Sequence, residues 1–500
     1  MATIDVETTS GTIRGELSDG TAAFKGIPYA EPPFGPNLFK PPVPRTRWDG
    51  VRDCTAYGPR CPQPSLGIFA DLEDGEDCLS VNVWAPEGAS GRPVLFWIHG
   101  GGFTLGSNAE PGSDGSAFAR DGAVLVSCNY RLGAFGFLHA GHLDDAYTAA
   151  SGAYGLADQI AALRWTRENI ANFGGNPDNI TIFGSSAGAT FVNELLGCPS
   201  AQGLFHRAVS QSAPGAPVFG FPAGNAEPVA ELVLAKLGVT AADLPSVPSA
   251  RFLEAQTELI DEIRRGEHPE CGRTSLPFVP FTGGDLMPRP AAEAIADGVG
   301  ADVALVIGTN RDECTLYQLM AEMPGPVDVA PPKWGADPAL QQRIRDVYDR
   351  SLEPGSAIGA QIAMDTDRVF RIPSLRIAEA HHRAGGSTRV YQFAWRSTAC
   401  DGRVGASHGL EVPFVFDDFS LPITKSMLGD DVPGSLTEEL HGSWISFATN
   451  GDPAATGAVP AWPEYEPGSR QTMVFDEKTA VVADPDGERR ASWHNVSLRH

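Results

Sequence analysis

The sequence predicts an α/β chain, with a central, mostly parallel sheet flanked by helices and enlarged by helical insertions. Three observations lead there. Continuous apolar runs, as found in strands covered on both faces, recur at 93–98, 123–130 and 303–308. Between the second and third, residues 156–171 place Ile160, Leu163, Trp165 and Ile170 at helical spacing. At 179–189 a short β-rich run passes through Gly184, Ser185, Ser186, Ala187 and Gly188. It leads directly into a helix-like stretch with Ala189, Phe191, Val192, Leu195 and Leu196.

In chain order, 4–15 and 22–25 read as short strands opening the sheet, with Gly11 and Gly20 at turns. Prolines then break 24–33 too often for a helix or a central strand, and a loop-like region runs to Asp77. Strands at 81–84, 93–98 and 123–130 follow, then the 156–171 helix, which ends at the Asn172, Gly174, Gly175 and Pro177 cluster. Beyond Gly197 strands become sparse. Helical patterns fill about 225–266 and 337–383, the insertions, while 303–308 and 389–395 return to strand. No internal repeat and no clear linker divides the chain, so 1–500 reads as one domain with insertions.

The 500 residues carry 37 Lys and Arg against 62 Asp and Glu, a formal charge of −25. Without a basic cluster, such a surface repels nucleic acid and anionic membranes. Residues 1–7 lack the basic and apolar regions of a secretory signal, and no run of about 18 apolar residues predicts a membrane span. These features point to a cytoplasmic chain, although removal of a signal would leave the same sequence. The eight cysteines (54, 61, 78, 128, 198, 271, 314 and 400) form no Cys-x-x-Cys pair, which argues against a zinc site.

The Gly184-to-Gly188 pentapeptide lies where a strand turns sharply into a helix, the setting of a nucleophile elbow at Ser186. His99, Gly100, Gly101, Gly102 and Phe103 directly follow the 93–98 strand. Their glycines let backbone N–H groups approach a ligand, as an oxyanion-stabilising loop requires. His99 itself reads as a structural residue of the turn. A serine needs a base to take its proton and an acid to orient that base. Glu313 follows the 303–308 strand, and His408 lies in a glycine-flanked loop after the 389–395 strand. The order serine, acid, histidine then fits an elbow-bearing sheet, with Asp312 as the rival acid.

With these motifs in place, the chain resembles the type B carboxylesterases of the α/β-hydrolase superfamily, a group including bacterial para-nitrobenzyl esterases, animal carboxylesterases and cholinesterases. The matching stretches are 24–33, 76–79, 99–103, 129–131, 162–188, 308–313 and 408–416. The resemblance implies Ser186 as nucleophile, Glu313 as acid and His408 as base. It also implies oxyanion donors at Gly101, Gly102 and Ala187, and Ser212 as a supporting serine behind the triad. Cys61 and Cys78 match the family's first disulfide, worth about 3 kcal/mol if closed. A reducing compartment would leave them as thiols, and both states stay open. The family usually carries Glu where this chain has Ser185, a departure outside the triad.

The implied activity is cofactor- and metal-free hydrolysis of carboxylic esters through an acyl-enzyme, with broad or aryl and alkyl specificity. Its partner is a small-molecule ester, and the chain is expected as a monomer or small homo-oligomer. Another acyl bond (carbamate, thioester, lactone or amide) is the alternative. A non-catalytic, cholinesterase-like binding protein is disfavoured by the intact triad. Cholinesterases hold the quaternary ammonium on a Trp in the loop between those two cysteines. Here 62–77 contains no Trp and only Phe69 as an aromatic, so choline esters should be poor substrates. Thr274, Leu276 and Phe278 resemble the family's acyl-pocket wall, with core packing an equal reading for that segment.

Overall fold

The structure is a computed structural model describing residues 2–64, 72–215, 219–272, 276–322, 336–352, 359–429 and 432–498. Among them a 13-stranded sheet runs β1-β2-β3-β5-β7-β6-β8-β9-β10-β11-β12-β13, with β4 (Val51–Asp53) beside β2. β1 (Ala2–Thr8), β2 (Gly11–Ser18), β3 (Thr21–Pro28) and β5 (Ser80–Pro86) form its antiparallel part. From β7 (Val124–Cys128) the pairing turns parallel through β6 (Arg92–Ile98), β8 (Gly175–Ser185), β9 (Arg207–Gln211), β10 (Ala304–Asn310), β11 (Thr388–Phe393) and β12 (Gln471–Phe475). β13 (Ala480–Ala483) closes the edge antiparallel.

Side-chain alternation along the parallel strands fills two cores, one on each face. Val94, Phe96, Ile98, Ile182 and Ile307 enter one cluster, and Leu95, Trp97, Phe183, Val306 and Phe393 enter the other. Helices α1 (Tyr154–Asn169) and α2 (Ala187–Gly197) bury residues in the first core. The insertion helices α3 (Ala223–Leu237) and α4 (Ser249–Arg264) do the same. The second insertion comprises α5 (Pro338–Ser351), α6 (Ala360–Thr366) and α7 (Ile372–Arg383). A π-helical turn, Asp367–Arg371, joins α6 to α7. α8 (Gly434–Asn450) covers the second core with Leu440, Trp444 and Phe447.

Several elements differ from the sequence expectation. β3 continues through Gly26 and Ile27 to Pro28, because a register shift between Phe24 and Ile27 absorbs the irregular segment. β8 begins at Gly175, ahead of the Asn176 and Pro177 turn signal. The central strand β9 escapes prediction because only Ala208 and Val209 of its five residues are apolar, while Ser210 and Gln211 are buried polar groups. The strands β12 and β13 at the end of the sheet, five and four residues long, are likewise too short for the patterning to predict.

Candidate active site

Four neighbouring parallel strands deliver the predicted residues to one edge of the sheet, where each strand ends. β6 ends at Ile98 before the glycine loop, β8 at Ser185, β9 at Gln211 and β10 at Asn310. Adjacency in the sheet, rather than in the chain, brings 99–102, Ser186, Ser212 and Glu313 together.

Ser186 sits between β8 and α2 at φ 59°, a conformation L side chains rarely adopt. Its N–H bonds the Gln211 carbonyl at 2.9 Å, and its own carbonyl accepts the Thr190 N–H, the first bond of the helix. The flanking glycines follow from the close approach of β6. A Cβ on Gly188 would lie 2.1 Å from the Ile98 carbonyl oxygen, and one on Gly184 would lie 2.7 Å from it. No side chain fits at either position.

Gly101, Gly102 and Phe103 have φ of 108°, 60° and 65°, so the loop doubles back at once. The Thr104 and Leu105 N–H groups bond the Gly101 carbonyl. A Cβ on Gly101 would come within 2.1 Å of the Leu105 oxygen, and one on Gly100 within 3.2 Å of Ser186 Cβ. Among the described residues, the N–H groups of Gly101, Gly102 and Ala187 donate to no protein acceptor. His99 stacks on Tyr130, with 4.4 Å between ring centres, and burial pushes it down to about 4. It is a neutral structural residue.

Glu313 is fully buried. Its Oε1 accepts the Asn310 N–H at 2.8 Å, and its Oε2 lies 2.6 Å from His408 Nδ1. Asp312, the rival acid, turns elsewhere: it accepts Arg396 Nε at 3.1 Å and the Ala406 N–H at 3.0 Å. Burial opposes a charge on His408, but the Glu313 charge and hydrogen bond, helped by Glu411, raise the imidazole above its ordinary 6.5. Phe370 and Tyr317 stand against the His408 ring at 4.8 and 5.8 Å.

Sequence reasoning missed the network behind this pair. Glu411 is buried and accepts Asn310 Nδ2 at 2.6 Å and Gln211 Nε2 at 3.3 Å. Trp444 Nε1 in turn donates to Gln211 Oε1 at 3.1 Å. Burial, then the Glu313 charge, pushes the Glu411 carboxyl up. The one available signal was Glu411 itself, three residues past His408 in a run that is otherwise apolar. Ser212 shares Ser186's φ of 59°, its N–H bonds the Gly308 carbonyl at 2.9 Å, and among the described residues its buried Oγ has no partner.

The expected acyl wall is brought together only in part. Leu276 lies beside the glycine loop, 3.8 Å from where a Gly102 Cβ would stand. Phe278 has no exposed surface and packs in the first core, the core-packing reading of that segment. Thr274 and Phe69 lie outside the described residues. Cys61 and Cys78 are buried in this structure and carry no disulfide between them. The hydrogen bond that the Cys78 thiol donates to the neighbouring Cys61, together with burial, holds that thiol well above its ordinary value. Among the described residues there is no cluster of three metal-ligating side chains and no helix long and apolar enough to cross a membrane.

The carboxylesterase family matches residues 2–493. The para-nitrobenzyl esterase of Bacillus subtilis (strain 168) is 37% identical over 496 residues, covering 97% of each chain. The phenmedipham hydrolase of Pseudarthrobacter oxydans is 35% identical over 498 residues, covering 95% of this chain and 96% of its own. A crystal structure of a Geobacillus stearothermophilus carboxylesterase superposes with a TM-score of 0.83 at 36% identity, covering 98% of this chain and 99% of that one. Matched from end to end in sequence and in fold, the chain belongs to the carboxylesterase family, and it is a carboxylic ester hydrolase.

Proposed function

We propose that this hydrolase works through Ser186 as nucleophile, His408 as general base and Glu313 as the acid that orients it. The observation that carries the reading is the 2.6 Å contact between Glu313 and His408 Nδ1, two strands from the strained turn bearing Ser186. With Nδ1 engaged, Nε2 is the nitrogen available to take the Ser186 proton. Ser186 Oγ then bonds the ester carbonyl carbon, and the negative charge moves to the carbonyl oxygen. The N–H groups of Gly101, Gly102 and Ala187 receive that oxygen, each donor worth roughly 3–4 kcal/mol in the transition state. His408 passes the proton to the departing alcohol. A water, deprotonated by the same imidazole, later releases the acid and restores Ser186. Ser212 supports Ser186 and His408 from behind.

One relative is named for para-nitrobenzyl esters and another for phenmedipham. This chain takes aryl and alkyl esters, with Leu276 beside the acyl group. It acts as one domain, since a single sheet collects strands from Ala2 to Ala483 and both helical insertions pack around it. The test is hydrolysis of p-nitrophenyl acetate, butyrate and octanoate by the wild type beside Ser186→Ala. A folded variant slowed by at least about 10⁴-fold is expected. A folded variant of near wild-type rate would overturn the assignment.

A further inference from the structure

Against the face of His408 the chain makes its π-helical turn, Asp367–Arg371. Such a turn holds one residue more than an α-turn and concentrates where function demands an unusual register. Its residues look two ways. Phe370 meets the His408 ring, and Thr366, just before the turn, accepts at Oγ1 the N–H of Cys314, the residue after Glu313, at 3.1 Å. Asp367 and Arg371 instead face α5 and the segment near Pro485. Asp367 Oδ2 accepts the Tyr348 hydroxyl at 2.5 Å, and that hydroxyl accepts Trp493 Nε1 at 2.7 Å. Arg371 donates to the Pro485 carbonyl and, at 3.4 Å, to Asp367. Arg376 donates to the carbonyls of Trp493 at 3.0 Å and Val496 at 2.7 Å. Trp493, Val496 and Leu498 share a third hydrophobic cluster with Ile344, Tyr348 and Ile372, separate from both sheet cores.

A tail that merely sealed α5 would not reach the catalytic residues. Here hydrogen bonds and one ring contact run from Trp493 through Tyr348, Asp367 and Phe370 to His408. We propose that the C-terminal segment 484–498 sets the position of the catalytic histidine through the π turn, with Trp493 and Tyr348 as positioning residues. This rests on the reading of His408 as the base. If the turn lost Asp367's anchor and relaxed to α geometry, removing one residue would rotate the helix by about 100°. Phe370 would then leave the imidazole and admit water.

The charged groups facing His408 are Glu313 and Glu411. The Tyr317 phenol beside it stays neutral, pushed well up by burial. Glu313 is held by the Asn310 N–H, independently of Phe370, so loosening the turn relieves mainly the burial of the imidazole. The acidic limb of the pH profile should then move to higher pH.

Tyr348→Phe keeps the ring in its cluster and removes the hydroxyl joining Trp493 to Asp367. Compared with wild type on p-nitrophenyl butyrate, it should lower kcat about three- to tenfold with KM unchanged and raise the acidic limb of kcat/KM. Phe370→Leu should do the same. The double variant should be no worse than the more severe single one, because both act on one contact. If Tyr348→Phe does not fold, Trp493→Phe replaces it in the same cycle. Additive losses would overturn the proposal, as would a folded Tyr348→Phe that leaves kcat and the pH profile at wild-type values. His408→Gln separates the two readings. If it is silent while Tyr348→Phe behaves as wild type, only the positioning role falls; if it retains wild-type activity, the base assignment falls and the proposal with it.

Discussion

On the nucleophile side, backbone does the holding: Ser186 and Gly101 adopt positive φ, and the Ile98 carbonyl presses on Gly184 and Gly188. On the acid–base side, buried side chains do it: Glu313, Asn310, Glu411, Gln211 and Trp444 form a hydrogen-bonded set behind His408. The first arrangement tolerates no added atom but needs no particular functional group nearby. The second has room for isosteric replacements, yet each partner must present the right donor or acceptor. Substitutions should therefore fail differently on the two sides, sterically on one and chemically on the other.

The sharpest break is Gly188→Ala, whose methyl would meet the Ile98 oxygen at 2.1 Å. Loss of soluble protein or of all activity is expected, read by thermal unfolding and ester hydrolysis; an active, stable variant would show that the backbone can give. Glu313→Gln should keep the fold while kcat falls by about 10³–10⁴-fold, because the imidazole loses the partner that fixes its tautomer and supports its charge. Asp312→Asn supplies the contrast. Its carboxylate pairs with half-exposed Arg396, so we expect activity within about threefold of wild type and a stability loss of about 1–2 kcal/mol in urea unfolding.

The pH profile tests the acid–base side directly. The base must be neutral to act, and Glu313 holds His408 above 6.5, so kcat/KM should fall on acidification with a midpoint above that value. Glu411→Gln removes a charge that favours the imidazolium and should move this midpoint to lower pH, with about a tenfold loss in kcat. A midpoint that does not move would separate Glu411 from the titration. The smallest effect concerns Cys61 and Cys78. Denaturation without reductant should expose all eight thiols to a colorimetric reagent, whereas a count two lower would mean a disulfide.

The two sides also differ in how far sequence reveals them. The glycine motifs announce themselves because only glycine satisfies the local backbone, and that demand lies within a few consecutive residues. Glu313 and His408 followed from their places after apolar strands and from resemblance. Gln211 and Asn310 did not, because a buried amide at a strand end looks like any loop polar residue until its partners are known. For the same reason β9, with Ser210 and Gln211 buried, was invisible to hydrophobic patterning.

The sequence by itself determined the parallel α/β sheet, the elbow at Ser186, the glycine loop and both helical insertions. Each rests on periodicity or on a local backbone requirement carried by neighbouring residues. Only the tertiary structure decided that Asp312 turns to Arg396 while Glu313 meets His408 Nδ1 at 2.6 Å, that Phe278 belongs to the core, and that Trp493 connects through Tyr348 to the turn behind the histidine. Those are contacts between residues about 80 to 145 positions apart. Their partners are chosen by strand order and packing, which no local window of sequence contains.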